Sequence, residues 1–288
     1  MSNNGKRPNS RAFCATVCSG KGGVGKSTVA ILLASRLADA GYRTLLIDAD
    51  CGLGDLATLT NSIVKRGFES ILAGTATLEE ATVKIGPRLW LIGTEAGSKL
   101  TGQNSELAGL ENCLQIDTLF DVVIIDTPSS LDPLILNLIA LSDLSISVTT
   151  PHIPAIADSY IQIKQASEVT DKGQAAFVVN KADSEIEGDQ SAAKFSELVE
   201  KFLTRSMLAL GYLEYNPLIQ KCSESQSLTT IPAELDGAVK KLDRMVKTLC
   251  EQHIEKARRG SSLWVRLGEA MALKRVVGFD DTQVMVHN

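Results

Sequence analysis

Unbroken apolar runs recur along the chain at Phe13–Cys18, Thr44–Ile47, Leu89–Ile92, Val122–Ile125, Leu144–Thr149 and Ala175–Val179, and most intervals between them carry apolar positions at helical spacing. Strands that are apolar throughout, rather than at alternate positions, are buried on both faces. Their alternation with helices predicts an α/β fold with a doubly wound, mostly parallel sheet and helices on both faces. In such sheets ligands bind beyond the carboxyl ends of the strands. The pattern at Val29–Ala40 predicts a helix stopped by Gly41. Residues 1–12 are polar and read as a flexible tail, and Ser184–Gln190 reads as an acidic loop. Past about Cys250 the composition turns basic, with Lys256, Arg258, Arg259, Arg266, Lys274 and Arg275 against Glu255 and Glu269. The division expected is therefore a tail at 1–12, one domain at 13–250, and a basic, helical extension at 251–288.

Composition narrows the class without naming it. With 288 residues, 44% hydrophobic and 22% charged, the chain is globular and large enough for one α/β domain with an appendage. A net charge of −5 gives no strong nucleic-acid signal. No apolar run has the roughly 18–20 residues that cross a bilayer, and the start has no apolar stretch of a secretory leader, so a cytoplasmic location is expected. The six cysteines form no CxxC pair and argue against a zinc site or a disulfide framework. Cys14 and Cys18 share one face of the first strand and are expected to pack as small hydrophobes.

The chemistry is concentrated between the first strand and the first helix. Ser19 to Thr28 reads Ser-Gly-Lys-Gly-Gly-Val-Gly-Lys-Ser-Thr. Gly20, Gly22, Gly23 and Gly25, with Val24 between, let successive backbone N–H groups turn inward around a polyphosphate at a helix N-terminus. Lys26 stands where a P-loop lysine reaches the β- and γ-phosphates, and Ser27 and Thr28 follow it, Ser27 as a Mg²⁺ ligand. Lys21 is one lysine more than such a loop requires.

Three further strand ends supply polar groups. Asp48 and Asp50 stand at alternate positions after the second strand, so that one carboxylate is available to position an attacking water and the other to support Mg²⁺ or Lys26. Val122–Ile125 drives into the core and delivers Asp126, which is expected to hold Mg²⁺ through water. The loop that follows is Thr127-Pro128-Ser129-Ser130, without glycine. Asn180 ends another strand, where its amide can face an adenine edge. Asn180-Lys-Ala-Asp183 also has the spacing of a guanine-binding NKxD motif, which leaves GTP as the alternative to ATP.

The loop with its early lysine closely resembles the deviant Walker A motif of the MinD/ParA class of P-loop ATPases. That resemblance implies ATP and Mg²⁺ as cofactors, an ATP-dependent homodimer in which Lys21 reaches the partner's nucleotide, and a water-orienting role for Asp50 with Asp48 in support. Lys21, Lys26, Asp50 and Asp126 are then the catalytic set. Thr149–Pro151, Ala157–Lys164, Lys201–Leu203, Leu210–Lys221 and Ile231–Pro232 resemble the FlhG/FleN branch, MinD-like ATPases tied to flagellar number and placement. Members of that branch carry a DQAxxLR helix that acts on the GTPase FlhF, and residues 1–12 do not match it. The resemblance covers about Phe13 to Cys250 and implies slow hydrolysis and a protein partner.

In the extension, Leu263, Trp264, Leu267, Ala270 and Met271 share one side of an expected helix, with Lys274 breaking the stripe and Val265 and Leu273 outside it. Two uses remain open: reversible membrane contact through 262–277, at the inner face of the cell membrane, as in MinD-like proteins, or packing on the chain's own domain. Rival functions fail on single residues. An iron protein of the nitrogenase type needs a cysteine soon after Asp126, but none lies between Cys113 and Cys222; a tyrosine kinase of this fold carries a tyrosine-rich tail, but the last tyrosine is Tyr215. A ParA-type DNA or cargo partitioner remains an alternative, as does a nucleotide-dependent adaptor with little hydrolysis, although intact Lys21, Lys26, Asp50 and Asp126 oppose the adaptor.

Overall fold

The computed structural model describes residues 11–50, 55–95, 97–98, 108–170, 173–203, 206–230, 232–254 and 260–272. Its strands are β1 (Phe13–Cys18), β2 (Thr44–Asp48), β3 (Thr82–Gly86), β4 (Leu89–Ile92), β5 (Val122–Asp126), β6 (Leu144–Thr149), β7 (Ala175–Ala182) and β8 (Leu208–Glu214). They form one sheet in the order β3-β4-β2-β5-β1-β6-β7-β8, parallel except for the antiparallel pair β3–β4 at one edge. The helices are α1 (Lys26–Asp39), α2 (Asp55–Leu59), α3 (Phe68–Leu72), α4 (Leu78–Ala81), α5 (Ile116–Leu119), α6 (Pro133–Leu141), α7 (Ile153–Val169), α8 (Glu185–Leu203), α9 (Pro217–Glu224), α10 (Asp236–Leu249) and α11 (Leu263–Ala272).

Each strand of the centre feeds two cores because its side chains alternate between faces. Phe13, Ala15 and Val17 of β1 meet α1 and α10 on one face. Cys14 and Cys18 meet α3, α6 and α11 on the other, packed as small hydrophobes. A smaller cluster joins β7 to α7 and α8, with Phe177 and Phe195 edge to face at 4.8 Å.

The six expected strands are present, and two more flank them. β3 and β8 lie at the two edges, where one side of the ladder is unpaired and most side chains are only half-buried; β3 shows no apolar run, and that of β8 is broken by Gly211. Ser184–Gln190, expected as a loop, instead opens α8. Its sequence Ser-Glu-Ile-Glu is a helix start: the Glu187 N–H donates to Ser184 Oγ at 3.2 Å, and Glu187 Oε2 accepts from the Asp183 N–H at 2.7 Å. Glu185 and Glu187 also complement the positive end of the helix.

The tail and the extension require larger corrections. Residues 1–10 and 273–288 lie outside the described residues, but Ala12 is fully buried and Arg11 makes a bidentate pair with Asp143 at 2.6 and 2.8 Å. Asp143, at the start of β6, also receives Arg266 Nη2 at 2.8 Å and the Cys14 N–H at 2.9 Å. Residue 250 is therefore not a packing boundary. α11 is helical as expected, but Leu263, Trp264 and Leu267 are buried within the same core as β1, β2 and β5, and Trp264 meets the Phe68 ring at 6.2 Å. Of the two uses open to the stripe, packing on the domain is the one that its described residues take.

Trp264→Ala should lower the stability of the chain by roughly 3–5 kcal/mol, the usual effect of emptying a large buried aromatic site. Urea unfolding followed by circular dichroism measures it. A change under about 0.5 kcal/mol, as for an exposed side chain, would refute the packing role of α11.

Candidate functional site

The nucleotide loop sits where β1 ends, at the carboxyl edge of the sheet between β5 and β6. Ser19 is fully buried, Lys21, Gly22 and Gly23 are exposed, and Lys26 turns inward as the first residue of α1. Gly25 adopts φ +88°, and a Cβ there would overlap the Asn180 amide. Only glycine fits both constraints. At the other end of the loop a Cβ on Gly20 would collide with the Asp158 carbonyl of α7. The loop is thus clamped between α7 and β7, with no side-chain cap on α1 and its first N–H groups left to a ligand.

β7 holds the loop from the side. Asn180 Nδ2 donates to the Val24 carbonyl at 2.8 Å and Lys181 Nζ to the Gly23 carbonyl at 2.8 Å. Lys181 takes φ +60°, an uncommon setting for a residue with a Cβ, which its reach to Gly23 helps hold. The bond to Val24 uses one of the two N–H donors of the Asn180 amide, which leaves the second N–H and the oxygen for a base. Beside it opens a pocket of about 370 Å³, walled by Gly25, Thr28 and Leu32 on one side and by Leu213–Asn216 and α9 on the other. Asp183, the fourth member of the NKxD spacing, is not part of that wall.

The carboxylates converge because β2 and β5 are neighbours in register, with Asp48 opposite Asp126. Asp126 is fully buried, and its Oδ1 accepts from Lys26 Nζ at 2.7 Å. Burial pushes the Asp126 carboxyl up, while the Lys26 ammonium and the Ser27 hydroxyl pull against it. Its Oδ2 is buried and has no hydrogen-bond partner among the described residues. An orphaned carboxylate oxygen beside Ser27, at the mouth of a phosphate cradle, fits a hydrated Mg²⁺.

Asp48 is the residue that faces Asp126 across the β2–β5 ladder. It is fully buried, and both oxygens are engaged, Oδ1 by the Asp50 N–H at 3.0 Å and Oδ2 by the Leu56 N–H at 3.3 Å. The two bonds tie Asp48 to the turn out of β2. Burial, reinforced by Asp126, pushes its carboxyl up to about 7. Asp50 stands half-buried just beyond, its carboxyl raised by burial and held back by Lys26. Cys51 to Gly54 lie outside the described residues.

Several contacts had no counterpart in the sequence reading. Thr127 is fully buried, and both its N–H and its hydroxyl donate to the Val17 carbonyl, at 3.2 and 3.1 Å. Ser129 meets Ser19 hydroxyl to hydroxyl at 2.9 Å. The wall formed by β8 and α9 was visible only as a family-like stretch, because Gly211 interrupts the apolar residues of β8.

Comparison with known proteins agrees with this geometry. Residues 14–165 match the AAA_31 family, described as an AAA domain. The antiactivator FleN of Pseudomonas aeruginosa is 29% identical over 216 residues, covering 73% of this chain and 76% of its own length. The flagellum site-determining protein YlxH of Helicobacter pylori is 28% identical over 209 residues, covering 71% and 70%. Among solved structures, the cell division ATPase MinD of Pyrococcus furiosus superposes with a TM-score of 0.66 at 18% identity, over 83% of this chain and 99% of that one. MinD of Pyrococcus horikoshii, solved with Mg-ADP, gives 0.66 at 17% identity over 83% and 96%. The chain belongs to the AAA_31 family and is an ATP-binding P-loop protein of the MinD/ParA class. Within that class it stands close to the FlhG/FleN proteins.

The Asp48 carboxyl gives a pH signature. The folded chain binds its proton more tightly than the unfolded chain does, so this group makes stability fall as pH rises from about 4 through about 7 and level off above. Asp48→Asn should therefore stabilise the nucleotide-free, metal-free protein at pH 8, by on the order of 2–4 kcal/mol, with the gain vanishing toward pH 4. Thermal unfolding across that range tests it, and a gain independent of pH would exclude titration of Asp48 as the cause.

Proposed function

We propose that this protein is an ATP-driven molecular switch: ATP with Mg²⁺ joins two copies face to face, slow hydrolysis lets them part, and the cycle governs the placement or number of a cellular structure such as the flagellum. The observation that carries the reading is the division of labour between two lysines. Lys26 is buried on Asp126 at 2.7 Å, while Lys21 stands exposed on the same loop with no ion-pair partner among the described residues. One cation serves the phosphates from within. The other is free to neutralise phosphate charge across a seam, where a second subunit completes the site.

In this reading Gly20 to Thr28 cradle the phosphates, and Ser27 with Asp126 holds the hydrated metal, whose contribution is to neutralise charge on the β- and γ-oxygens. Asp50 orients the attacking water, and Asp48 fixes the turn that presents it. Asn180 meets adenine with the oxygen and the remaining N–H of its side-chain amide. The absence of Asp183 from the base pocket supports ATP over GTP. A flagellar role rests on the similarity to FleN and YlxH. The partner is a protein, and the site of action is the cytoplasm. Membrane contact through 262–277 forms no part of the proposal, since the described part of that stripe is core.

Lys26→Ala should abolish nucleotide binding, Lys21→Ala should keep binding but lose ATP-dependent dimerisation, and Asp50→Ala should accumulate as an ATP-bound dimer. Size-exclusion chromatography with light scattering, in ATP and in ADP, measures all three. A Lys21→Ala protein that still dimerises in ATP would remove the bridging role.

A further inference from the structure

The loop after Asp126 lacks the glycine that makes such a segment pliable, and the structure shows how it is held instead. Pro128 restricts its backbone, Thr127 is bound twice to Val17 at its root, and Asp132 caps α6 at its far end by accepting the Leu134 N–H at 3.0 Å. Between these fixed ends two contacts fasten the crest. Ser129 meets Ser19 at 2.9 Å, and Gln162 Nε2 donates to the Ser130 carbonyl at 3.1 Å.

The direction of the first contact follows from counting hydrogens. A hydroxyl has one proton to donate. Ser19 Oγ donates its proton to the Lys21 carbonyl at 3.1 Å, so Ser129 must be the donor to Ser19. The result is a directed chain from Ser129 through Ser19 to the peptide of Lys21. Gln162 extends it to the other side. It is fully buried, and its Oε1 has no partner among the described residues, a placement that costs stability and that packing alone does not explain. One turn earlier on α7, Asp158 and Ser159 back directly onto Gly20, so a single helix touches both ends of the chain of bonds.

We propose that Ser19, Ser129 and Gln162 are positioning residues for ATP turnover, which lock the loop after Asp126, the Lys21 peptide and α7 into one unit. Movement of the loop then carries the setting of Lys21 with it. This rests on the switch proposed above and names the device that links its two phosphate-facing loops. None of the three need touch the nucleotide, so their loss should appear in turnover rather than in binding.

The test uses the full chain with Ser129→Ala, Ser129→Thr, Gln162→Leu and the double variant Ser129→Ala/Gln162→Leu. Ser129→Ala and Gln162→Leu should each lower kcat for ATP by about five- to tenfold, the equivalent of one hydrogen bond, with the affinity for a fluorescent ADP analogue within about twofold of the parent. Ser129→Thr should restore kcat, and the double variant should lose less than the product of the single losses, because both act on one loop. Unchanged kcat, or equal loss of kcat and ADP affinity, would overturn the proposal. A second arm does not depend on hydrolysis: in the nucleotide-free protein, Gln162→Leu should speed amide hydrogen exchange at Lys21–Gly23 as well as at Ser129–Leu131. Exchange that rises only at 129–131 would also overturn it. A parent protein that hydrolyses no ATP would instead refute the switch, leaving the exchange arm to decide the coupling.

Discussion

One buried ion pair sets the terms for the rest of the molecule. Lys26 and Asp126 are withdrawn from water together, and removing either partner would strand a charge in the interior at a cost of roughly 3–5 kcal/mol. The pair is possible only because Val17 lies opposite Asp126 in adjacent parallel strands, so that the loop leaving β1 turns directly over the end of β5. The parallel sheet, the two-sided core that fixes its register, and the glycine loop that returns Lys26 inward all converge on that geometry. It stores a cation and an anion beside a phosphate cradle, each with capacity left for a ligand.

The centre of this arrangement was legible in the sequence because it obeys simple rules. A fully buried parallel strand cannot avoid being an apolar run, and a loop that presents backbone to phosphate cannot avoid glycine. Hence β1, β2, β5 and the residues at their ends could be placed by inspection. The edges obey weaker rules. β8 is apolar from Leu208 to Leu213 but is interrupted by Gly211 at φ +136°, which breaks the kind of run that marks the central strands. The pocket that β8 helps to wall was hidden for the same reason. The start of α8 was legible in principle, since Ser184 and Glu187 have capping-box spacing, but the local charge obscured it.

Two kinds of information were not available from pattern at all. Asp48 and Asp50 are indistinguishable by spacing, yet one is fully buried with both oxygens on backbone N–H groups and the other stands half-buried under the influence of Lys26. Burial and hydrogen bonding, which depend on neighbours distant in sequence, make that difference. Likewise an amphipathic helix has the same stripe whether it faces lipid or protein. Only the presence of Phe68 opposite Trp264, and of Asp143 opposite Arg266, decides the occupant.

That late helix has a consequence for how the chain is made. The face of the sheet covered by α1 and α10 can close while residues beyond 254 are still inside the ribosome, whereas the face bearing Cys14, Phe68 and Leu138 keeps an open seam until α11 has emerged. Nascent chains therefore carry an apolar gap through the whole synthesis of the sheet, and stalled translation near codon 255 would yield a product with a nucleotide loop but an unsealed underside. Such a fragment is a natural client for chaperones and proteases, so that cellular abundance of the complete protein becomes sensitive to a helix that takes no part in the chemistry.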